Sequence, residues 1–395
     1  MVITGIGVVG PHGVGLAPLL DPQQAPGASF SAWPANVARP HDEALVALVK
    51  DLPARRYFTE RQMRMADRAM LLASSAVGLA IEDAGLQEND ALLRDACTFL
   101  GTARAELPSC YQFLRPHLNE PREQLNAADF PKIARNIACG QVAIRFGLQG
   151  PSTVLASGPL SSLEAASRAA RYIRGGRATH ALVGGFEALS RCALYHFAQH
   201  QRAQLQARHP AFFGADVGLL VPSEGACMLM LESLSSARAR GARIYAEIEG
   251  WCAGRVGDDE SAAEVLAEGW QTLAAGQEPR LLALSSGGAA RAHERAETAA
   301  LPAWCKRHPD ASALAPRASV GEGDAWASAL QLALAAALLG QRDSLHLSSL
   351  APSAEPPVQR AARRRPLHGD LALVSAMNEA LHYSMLSLRC APSET

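Results

Sequence analysis

The sequence predicts an α/β protein with mostly parallel sheets, and three observations carry that prediction. Short apolar runs rich in β-branched residues alternate with segments whose apolar residues recur at helical spacing. The chain has 395 residues, of which 48% are hydrophobic, so it can bury more than one small core. The alternation starts again after residue 240, which predicts two similar halves, residues 1–240 and 241–395.

The first half opens with a strand and a long helix. Residues 2–9 read VITGIGVV, a largely apolar run typical of a buried strand. Thr59 and Gln62 stand in the pattern of a capping box, which predicts the start of a helix. Apolar residues then recur every three or four positions, and we expect that helix to end at Gly85.

A strand, an irregular stretch and a second helix follow. Cys97–Gly101 is a short apolar run that predicts a strand. Residues 103–132 show no clear period, so we interpret them as irregular. Residues 133–146 return to helical spacing, and this helix leads into the stretch around which the chain is organised.

That central stretch, residues 150–176, combines a strand, a sharp turn and a helix. Its strand is predicted at residues 154–156, and Gly158-Pro159 cannot continue a strand ladder. From Ser161 onward the apolar residues follow a helical spacing until a Gly-Gly pair ends it. Many enzymes mount a nucleophile at such a corner, because the free N–H groups at the start of the helix favour developing negative charge. Here the chain offers Pro159.

The remaining chain continues the alternation. Strands are predicted at residues 180–185, 218–231, 244–251, 281–286, 344–349, 371–376 and 384–389. Helices are predicted at residues 260–275, 292–305 and 325–339. The last of these helices is the longest apolar run, yet it is too short and too interrupted by polar residues to span a bilayer.

Composition and charge exclude several classes of function. The net charge is −1 and the isoelectric point about 6.9, so no general attraction to nucleic acid or to an anionic membrane is expected. The eight cysteines are scattered with no C-x-x-C pair, which argues against a zinc site and against a disulfide framework. The start, MVITGIGVVG, reads as a strand and not as a basic leader. We therefore expect a cytoplasmic protein with reduced thiols, no metal and no cofactor.

Several segments together resemble the β-ketoacyl-acyl carrier protein synthases, the ketosynthases of the thiolase fold. VITGIGVVGPHG resembles the family's opening strand and turn, and RFGLQGPS with ALVGGFEAL resembles the block around its nucleophile. EGACMLMLESLSSARARGARIYAEIEG resembles the strand, helix and strand that begin its second half. The resemblance runs nearly end to end and implies a thiolase-like duplicated αβαβα fold in five layers.

The same resemblance implies that the family's catalytic residues are missing. Ketosynthases use a cysteine thiolate to take the acyl chain, two histidines and a lysine for decarboxylation, and backbone N–H groups as an oxyanion hole. A count without gaps from the end of RFGLQGPS places the cysteine at Pro159, which has neither a side-chain nucleophile nor an N–H. The first histidine falls near Ser286, and the lysine and second histidine fall on Ala318 and Gly323. The Gly-rich turn of the oxyanion hole falls on residues 377–380.

A scaffold without its reactive groups resembles the inactive subunit that is called a chain-length factor in type II polyketide systems. That subunit forms a heterodimer with an active ketosynthase and shapes the end of its partner's tunnel. The resemblance therefore implies two partners, an active ketosynthase subunit and an acyl carrier protein. Pro159 departs from the best-known members, which carry Gln at the position of the cysteine. This divergence favours an aryl polyene pathway, or another type II polyketide system, as the setting.

The resemblance also suggests residues for those contacts. In the family, a segment that crosses the dimer interface narrows the partner's tunnel. The residues expected at that place are Phe113, Phe130 and Ile133. The alternative is that they pack in the core. Docking of an acidic carrier protein is expected on a row of arginines along and just past the central helix, with a solvated face as the alternative: Arg168, Arg171, Arg174 and Arg177.

Other residues leave two further functions open. Ser157, Ser161 and Ser162 flank the corner and could serve an atypical acyltransferase or hydrolase, although helix capping by Ser161 and packing of the other two are the simpler interpretation. A homodimeric carrier-protein-binding protein without catalysis is the second alternative. His293 and Glu294 are neighbours on a predicted helix and do not face the same way, so we interpret them as part of a solvated helix face.

Overall fold

The structure, a computed structural model, describes residues 1–20, 29–42, 44–87, 91–119, 130–206, 220–285, 292–340 and 370–390. Its strands are β1 Val2–Gly10, β2 Gly13–Val14, β3 Ser31–Ala32, β4 Leu45–Val46, β5 Cys97–Gly101, β6 Ser152–Leu155, β7 His180–Glu187, β8 Gly225–Glu232, β9 Ala246–Arg255, β10 Pro279–Ala283, β11 Ser312–Leu314, β12 Leu371–Met377 and β13 His382–Arg389. Its helices are α1 Ala17–Leu20, α2 Glu60–Met65, α3 Arg68–Asp83, α4 Ala91–Arg94, α5 Leu107–Asn119, α6 Ile137–Phe146, α7 Ser161–Arg174, α8 Arg191–Gln206, α9 Leu234–Ala239, α10 Ala262–Leu273, α11 Ala292–Arg307, α12 Arg317–Val320 and α13 Asp324–Gly340. Short 3-10 helices lie at Pro53–Arg56, Phe130–Ile133 and Gly158–Leu160.

Eleven of the described strands form one sheet, in which the same arrangement occurs twice. The order is β6-β5-β7-β8-β1 in the first half and β11-β10-β12-β13-β9 in the second, so each of these ten strands has a counterpart. The eleventh strand, β2, pairs only with β1. β5 pairs in parallel with β6 and β7, as β10 does with β11 and β12. The two remaining pairings of each half are antiparallel. β1 and β9 join the halves, with Val2 opposite Glu247.

The prediction of mostly parallel sheets is therefore wrong in detail, since each half has at least as many antiparallel as parallel pairings. β12 and β13 show the reason, because only residues 378–381 connect them. A connection that short cannot cross over, so the two strands must run antiparallel. The division into residues 1–240 and 241–395 stays a prediction; it falls between β8 and β9.

The chain has the thiolase-like duplicated fold, with layers in the order α-β-α-β-α. α3 and α6 cover the outer face of the first half's strands through residues such as Leu72 and Phe146. α7 and α13 lie in the middle and pack on strands of both halves, through Leu163 and Leu330 among others. α10 and α11 cover the outer face of the second half, where Trp304 is buried.

The position of α13 explains the long apolar run in the sequence. A helix enclosed between two layers of strands needs no polar face, so it can be apolar all round. The described side chains from Ala325 to Leu339 are all buried. Among the residues that the structure describes, no helix is long and apolar enough to cross a membrane.

Two helices differ from the sequence-based prediction. The capping box at Thr59 is confirmed, but the helix it opens ends at Met65, and Asp67 then caps a second helix by accepting from Met70 N at 2.8 Å. The stretch interpreted as irregular contains α5, and that interpretation was wrong. The helix carries Pro116 in its interior, and some of its large apolar side chains are exposed, so no apolar stripe marks its period.

Candidate functional site

A cavity of about 340 Å³ lies where the two halves meet. The first half contributes Arg104, Ala156, Ser157, Gly158, Pro159, His196, Phe197 and Leu220, and the second half contributes Asp324, Asn378, Glu379 and Ala380. The structure therefore brings Pro159 together with the turn that the sequence assigned to the lost oxyanion hole. Arg104, His196 and Asp324 are lining residues that the sequence analysis missed.

Pro159 lies at the predicted corner between β6 and α7. It belongs to the 3-10 helix Gly158–Leu160 and is buried. Gly158 has a φ of +62°, a left-handed conformation that glycine adopts without strain. Proline has no N–H, so the corner offers neither a reactive side chain nor a backbone donor at this residue.

The turn at residues 378–381 uses its own hydrogen-bond donors. Asn378 N donates to His382 O at 3.0 Å, and Leu381 N donates to Asn378 O at 3.0 Å. The side-chain Oδ1 of Asn378 accepts from Ala380 N at 3.1 Å. Since these N–H groups point into the turn, they are not aimed at the cavity as an oxyanion hole requires.

Trp326 fills the space beside Gly323, on which the family's second histidine was expected to fall. A Cβ built on Gly323 would overlap the indole Nε1 of Trp326, and Trp326 itself is fully buried. Gly225 also faces the ring, where a Cβ would come within 2.9 Å. Residue 323 therefore has no room for a side chain, whereas its assignment to the histidine stays a prediction.

Charged residues surround these altered positions. Arg104 of the first half forms an ion pair with Asp324 of the second, across the cavity. Arg317 is fully buried beside Ala318 and pairs with Glu322 at 3.1 Å. Glu322 also accepts from Asp324 N at 2.8 Å. Ala318 lies in α12, and Ser286 lies outside the described residues.

Glu187 is buried directly behind Arg104. It accepts hydrogen bonds from Thr102 Oγ1 and Arg104 N, both at 3.1 Å, and from Ala103 N. Burial raises the pKa of Glu187 to about 7, and the charge of Arg104 only partly opposes this effect.

The hydroxyl groups of Ser157, Ser161 and Ser162 near the corner all donate hydrogen bonds within the chain. Ser157 Oγ donates to Glu164 at 2.8 Å, and Ser162 Oγ donates to Ala325 O at 2.6 Å. Ser161 Oγ donates to Gly158 O and accepts from Ser157 N, so it closes the turn and does not cap α7 as expected.

The described residues provide neither a cavity thiol nor a cluster that could hold a metal ion. No cysteine is among the described residues that line it. Burial raises the pKa of the Cys97, Cys139 and Cys227 thiols, which keeps them protonated. In the described ranges no group of three His, Cys, Asp or Glu side chains could hold a metal ion.

Glu294 is fully buried, so the expected solvated face around it on α11 was wrong.

The tunnel candidates lie close together on α5 and the following 3-10 helix. The rings of Phe113 and Phe130 meet edge to face with their centres 5.8 Å apart, and Phe130 is 60% exposed. Ile133 is half-buried, and its carbonyl accepts from Cys110 Sγ at 3.7 Å. Core packing therefore does not describe Phe130, whereas the tunnel role stays a prediction.

The arginine candidates divide into two groups. Arg174 contacts the second half. Its guanidinium donates to Ile248 O at 2.9 Å and lies 4.7 Å from the centre of the Trp251 ring. Arg171 and Arg177 are exposed, and Arg177 lies over the ring of Tyr172. Arg168 is half-buried. Carrier-protein docking stays a prediction for all four.

The comparison with known families decides the assignment. The model of the beta-ketoacyl synthase N-terminal domain matches residues 34–237, which is just over half of the 395-residue chain. The chain belongs to the beta-ketoacyl synthase family. The match includes both the corner at Pro159 and the exposed helix α5.

Individual family members align with this beta-ketoacyl synthase homologue over shorter stretches. The 3-oxoacyl-(acyl-carrier-protein) synthase 2 of Rhizobium meliloti (strain 1021) is 38% identical over 124 residues, which is 29% of either chain. The tetracenomycin polyketide synthase ketoacyl synthase beta subunit of Streptomyces glaucescens is 39% identical over 117 residues, or 28% of either chain. The alignments thus span less than a third of the length of these relatives.

Solved structures match the fold of this family member over almost its whole length. The ishigamide ketosynthase/chain length factor superposes with a TM-score of 0.81 at 21% identity and covers 99% of both chains. A beta-ketoacyl synthase from Burkholderia phymatum STM815 has the same TM-score and coverage at 19% identity. At these identities the comparison establishes the fold alone.

Proposed function

We propose that this chain is a non-catalytic ketosynthase-like subunit of the chain-length-factor kind. It forms a heterodimer with an active β-ketoacyl-acyl carrier protein synthase and shapes the far end of its partner's acyl tunnel. The observation that carries the proposal is the corner at the cavity, where a buried proline stands at the position counted as the family's cysteine and no cysteine is among the described lining residues. Gly323, the position counted as the second histidine, supports the proposal too, because Trp326 leaves no room there for a side chain.

An exposed apolar surface on the first half supports pairing with another chain. β6 is the last described strand of its half's order, and its residues are half-buried or exposed. A strand edge of this kind presents free N–H and C=O groups to a second chain. Large apolar side chains are also exposed on α5, α6 and the 3-10 helix between them: Tyr111, Leu114, Phe130 and Ile144. Large apolar side chains that are exposed together on neighbouring elements commonly mark interaction sites.

The setting is proposed from the relatives. One is named as the beta subunit of a polyketide synthase, and one solved structure is named as a ketosynthase with a chain length factor. Another solved structure of this fold holds a type II PKS acyl-carrier protein in complex with its ketosynthase. We therefore place this subunit in type II polyketide or aryl polyene synthesis in the cytoplasm, with an acyl carrier protein as the second partner.

The serine-dependent acyltransferase or hydrolase is less well supported. Each of Ser157, Ser161 and Ser162 donates its proton to a carboxylate or carbonyl, and none donates to a histidine. A nucleophilic serine needs a general base at hydrogen-bond distance.

Co-expression tests the proposed function directly. The chain is produced with a β-ketoacyl synthase that retains its cysteine, histidines and lysine, and the complex is examined by size-exclusion chromatography with light scattering. We expect a 1:1 heterodimer, and malonyl condensation by the heterodimer but not by this chain alone. Condensation by the isolated chain would contradict the proposal. A stable homodimer that binds acylated carrier protein would favour the alternative of a homodimeric carrier-protein-binding protein without catalysis.

A further inference from the structure

Arg104 contacts four different elements of the fold. Its guanidinium pairs with Asp324 at the start of α13 and lies 4.6 Å from the ring centre of Phe197 on α8. Its backbone N–H donates to Glu187 at the end of β7. Its carbonyl accepts from Leu107 N, the first residue of α5, at 3.0 Å. One residue thus connects the start of α5 to both halves.

The second half holds Asp324 in a defined place. Its φ is +45°, a left-handed conformation that costs free energy for a residue other than glycine. Glu322 accepts from its N–H at 2.8 Å, and Ser328 Oγ donates to its carbonyl at 3.3 Å. A residue held in this conformation by several partners is a rigid anchor for the ion pair.

The described side chains of helix α5 contribute few buried contacts; Ser109 donates to Asp67 at 3.5 Å and Cys110 to Ile133 O at 3.7 Å. Among its side chains at residues 107–116, only that of Ser109 is buried. Tyr111 and Leu114 are 46% and 52% exposed, and Phe113 contacts the exposed Phe130. Because little apolar area holds this helix to the body, its position depends on contacts at its first turn.

We infer that the Arg104–Asp324 ion pair positions α5, and with it the Phe113–Phe130 pair, against the second half of the molecule. Arg104 is a positioning residue and takes no part in chemistry. The positioning is a property of this chain by itself. Its consequence, that the ion pair sets how far the partner's product can grow, rests on the proposed function.

Hydrogen–deuterium exchange on the purified full chain tests the positioning. Arg104→Met removes the guanidinium, and Asp324→Asn removes the charge while keeping a residue that tolerates a positive φ. We expect amides of residues 107–119 to exchange at least about tenfold faster in either variant, with β1 unchanged. The double variant should exchange no faster than the faster single variant, because both changes break one interaction.

Arg55→Met is the matched control, because Arg55 pairs with Glu60 on the surface and both side chains are largely exposed. Its exchange in α5 should equal that of the unaltered chain. Unchanged exchange in α5 for both test variants, or effects that add in the double variant, would overturn the inference. Faster exchange throughout the protein would overturn it as well, since that result means global destabilisation.

The heterodimer provides a second readout. With an active partner, Arg104→Met should broaden the distribution of product chain lengths while the amount of complex stays the same. If the distribution of chain lengths is unchanged while amides in α5 exchange faster, the ion pair positions α5 but does not control product length. If the unaltered chain finds no partner, the proposed function fails, whereas the exchange result still decides the inference.

Discussion

Trp326 packs against Gly323 so closely that the glycine cannot carry a side chain. Gly225 and Gly10 also border the indole, where Cβ atoms would approach it to 2.9 and 3.2 Å. The ring and the three glycines form one packed unit. A histidine at residue 323 therefore has no room unless the indole moves.

Gly323→His should lower the free energy of unfolding by about 3 kcal/mol or more, because overpacking a filled core forces neighbours out of place. Adding Trp326→Gly should recover part of this loss by making room for the imidazole. Urea unfolding followed by circular dichroism measures both. Gly257→His is the control, since Gly257 is exposed with open space around its Cβ position. Equal effects at residues 323 and 257 would contradict the packing argument.

Glu187 makes the stability depend on pH in a defined window. Its pKa is raised by burial to about 7 from an ordinary 4.5, so between these values the folded chain holds a proton that the unfolded chain has lost. Stability from this group is therefore complete below pH 4.5 and falls as the pH rises to 7, by about 3 kcal/mol.

Glu187→Gln should remove that slope in denaturant unfolding measured from pH 4.5 to 8. Relative to the unaltered chain, the variant gains stability as the pH rises. Glu60→Gln, on the exposed helix α2, is the control and should keep the slope. Parallel curves for the Glu187 variant and the unaltered chain would refute the assignment.

Glu232 contributes in the opposite direction at lower pH. Burial by itself raises the pKa of this carboxyl. Hydrogen bonds from His180, Arg240 and Thr4 outweigh that effect and lower the pKa to about 2. The stability it supplies is present above pH 4.5 and is lost as the pH falls towards 2.

Arg240→Met leaves the buried Glu232 without its guanidinium partner, which should cost about 3 kcal/mol at pH 7. The loss should shrink as the pH falls and the carboxyl takes up a proton. Thermal unfolding across pH 3 to 7 measures it. Arg238→Met is the control, because Arg238 is exposed two residues earlier. A cost that does not change with pH would mean that the charge of Glu232 is not the cause.

Phe130→Ala separates folding from association. Because this side chain is 60% exposed, the free energy of unfolding of the chain alone should change by less than about 1 kcal/mol. Affinity for an active ketosynthase should fall about tenfold if the ring is buried in the heterodimer. Calorimetric titration measures the affinity, and Met65→Ala, 71% exposed on α2, should leave it unchanged. Equal affinities for both variants would place the interface elsewhere.

Sequence patterns predicted the elements whose boundaries are set by neighbouring residues. The capping box at Thr59 and the strand Cys97–Gly101 were predicted from neighbouring residues and are confirmed. α5 was missed because its stability does not come from an apolar stripe, and Ser109 is its one buried residue among the described side chains at 107–116. The split at Asp67 was missed because apolar spacing continues across it.

Residue types and their spacing along the chain were enough to predict the α/β class and to reveal that the corner carries a proline, and the matching segments were enough for the family resemblance. The contacts around the cavity required the folded structure. Arg104 and Asp324 are 220 residues apart, and their ion pair exists only because the two halves fold against each other. Trp326 likewise packs on three glycines that lie far apart along the chain, because the helix that carries it is buried between two layers of strands.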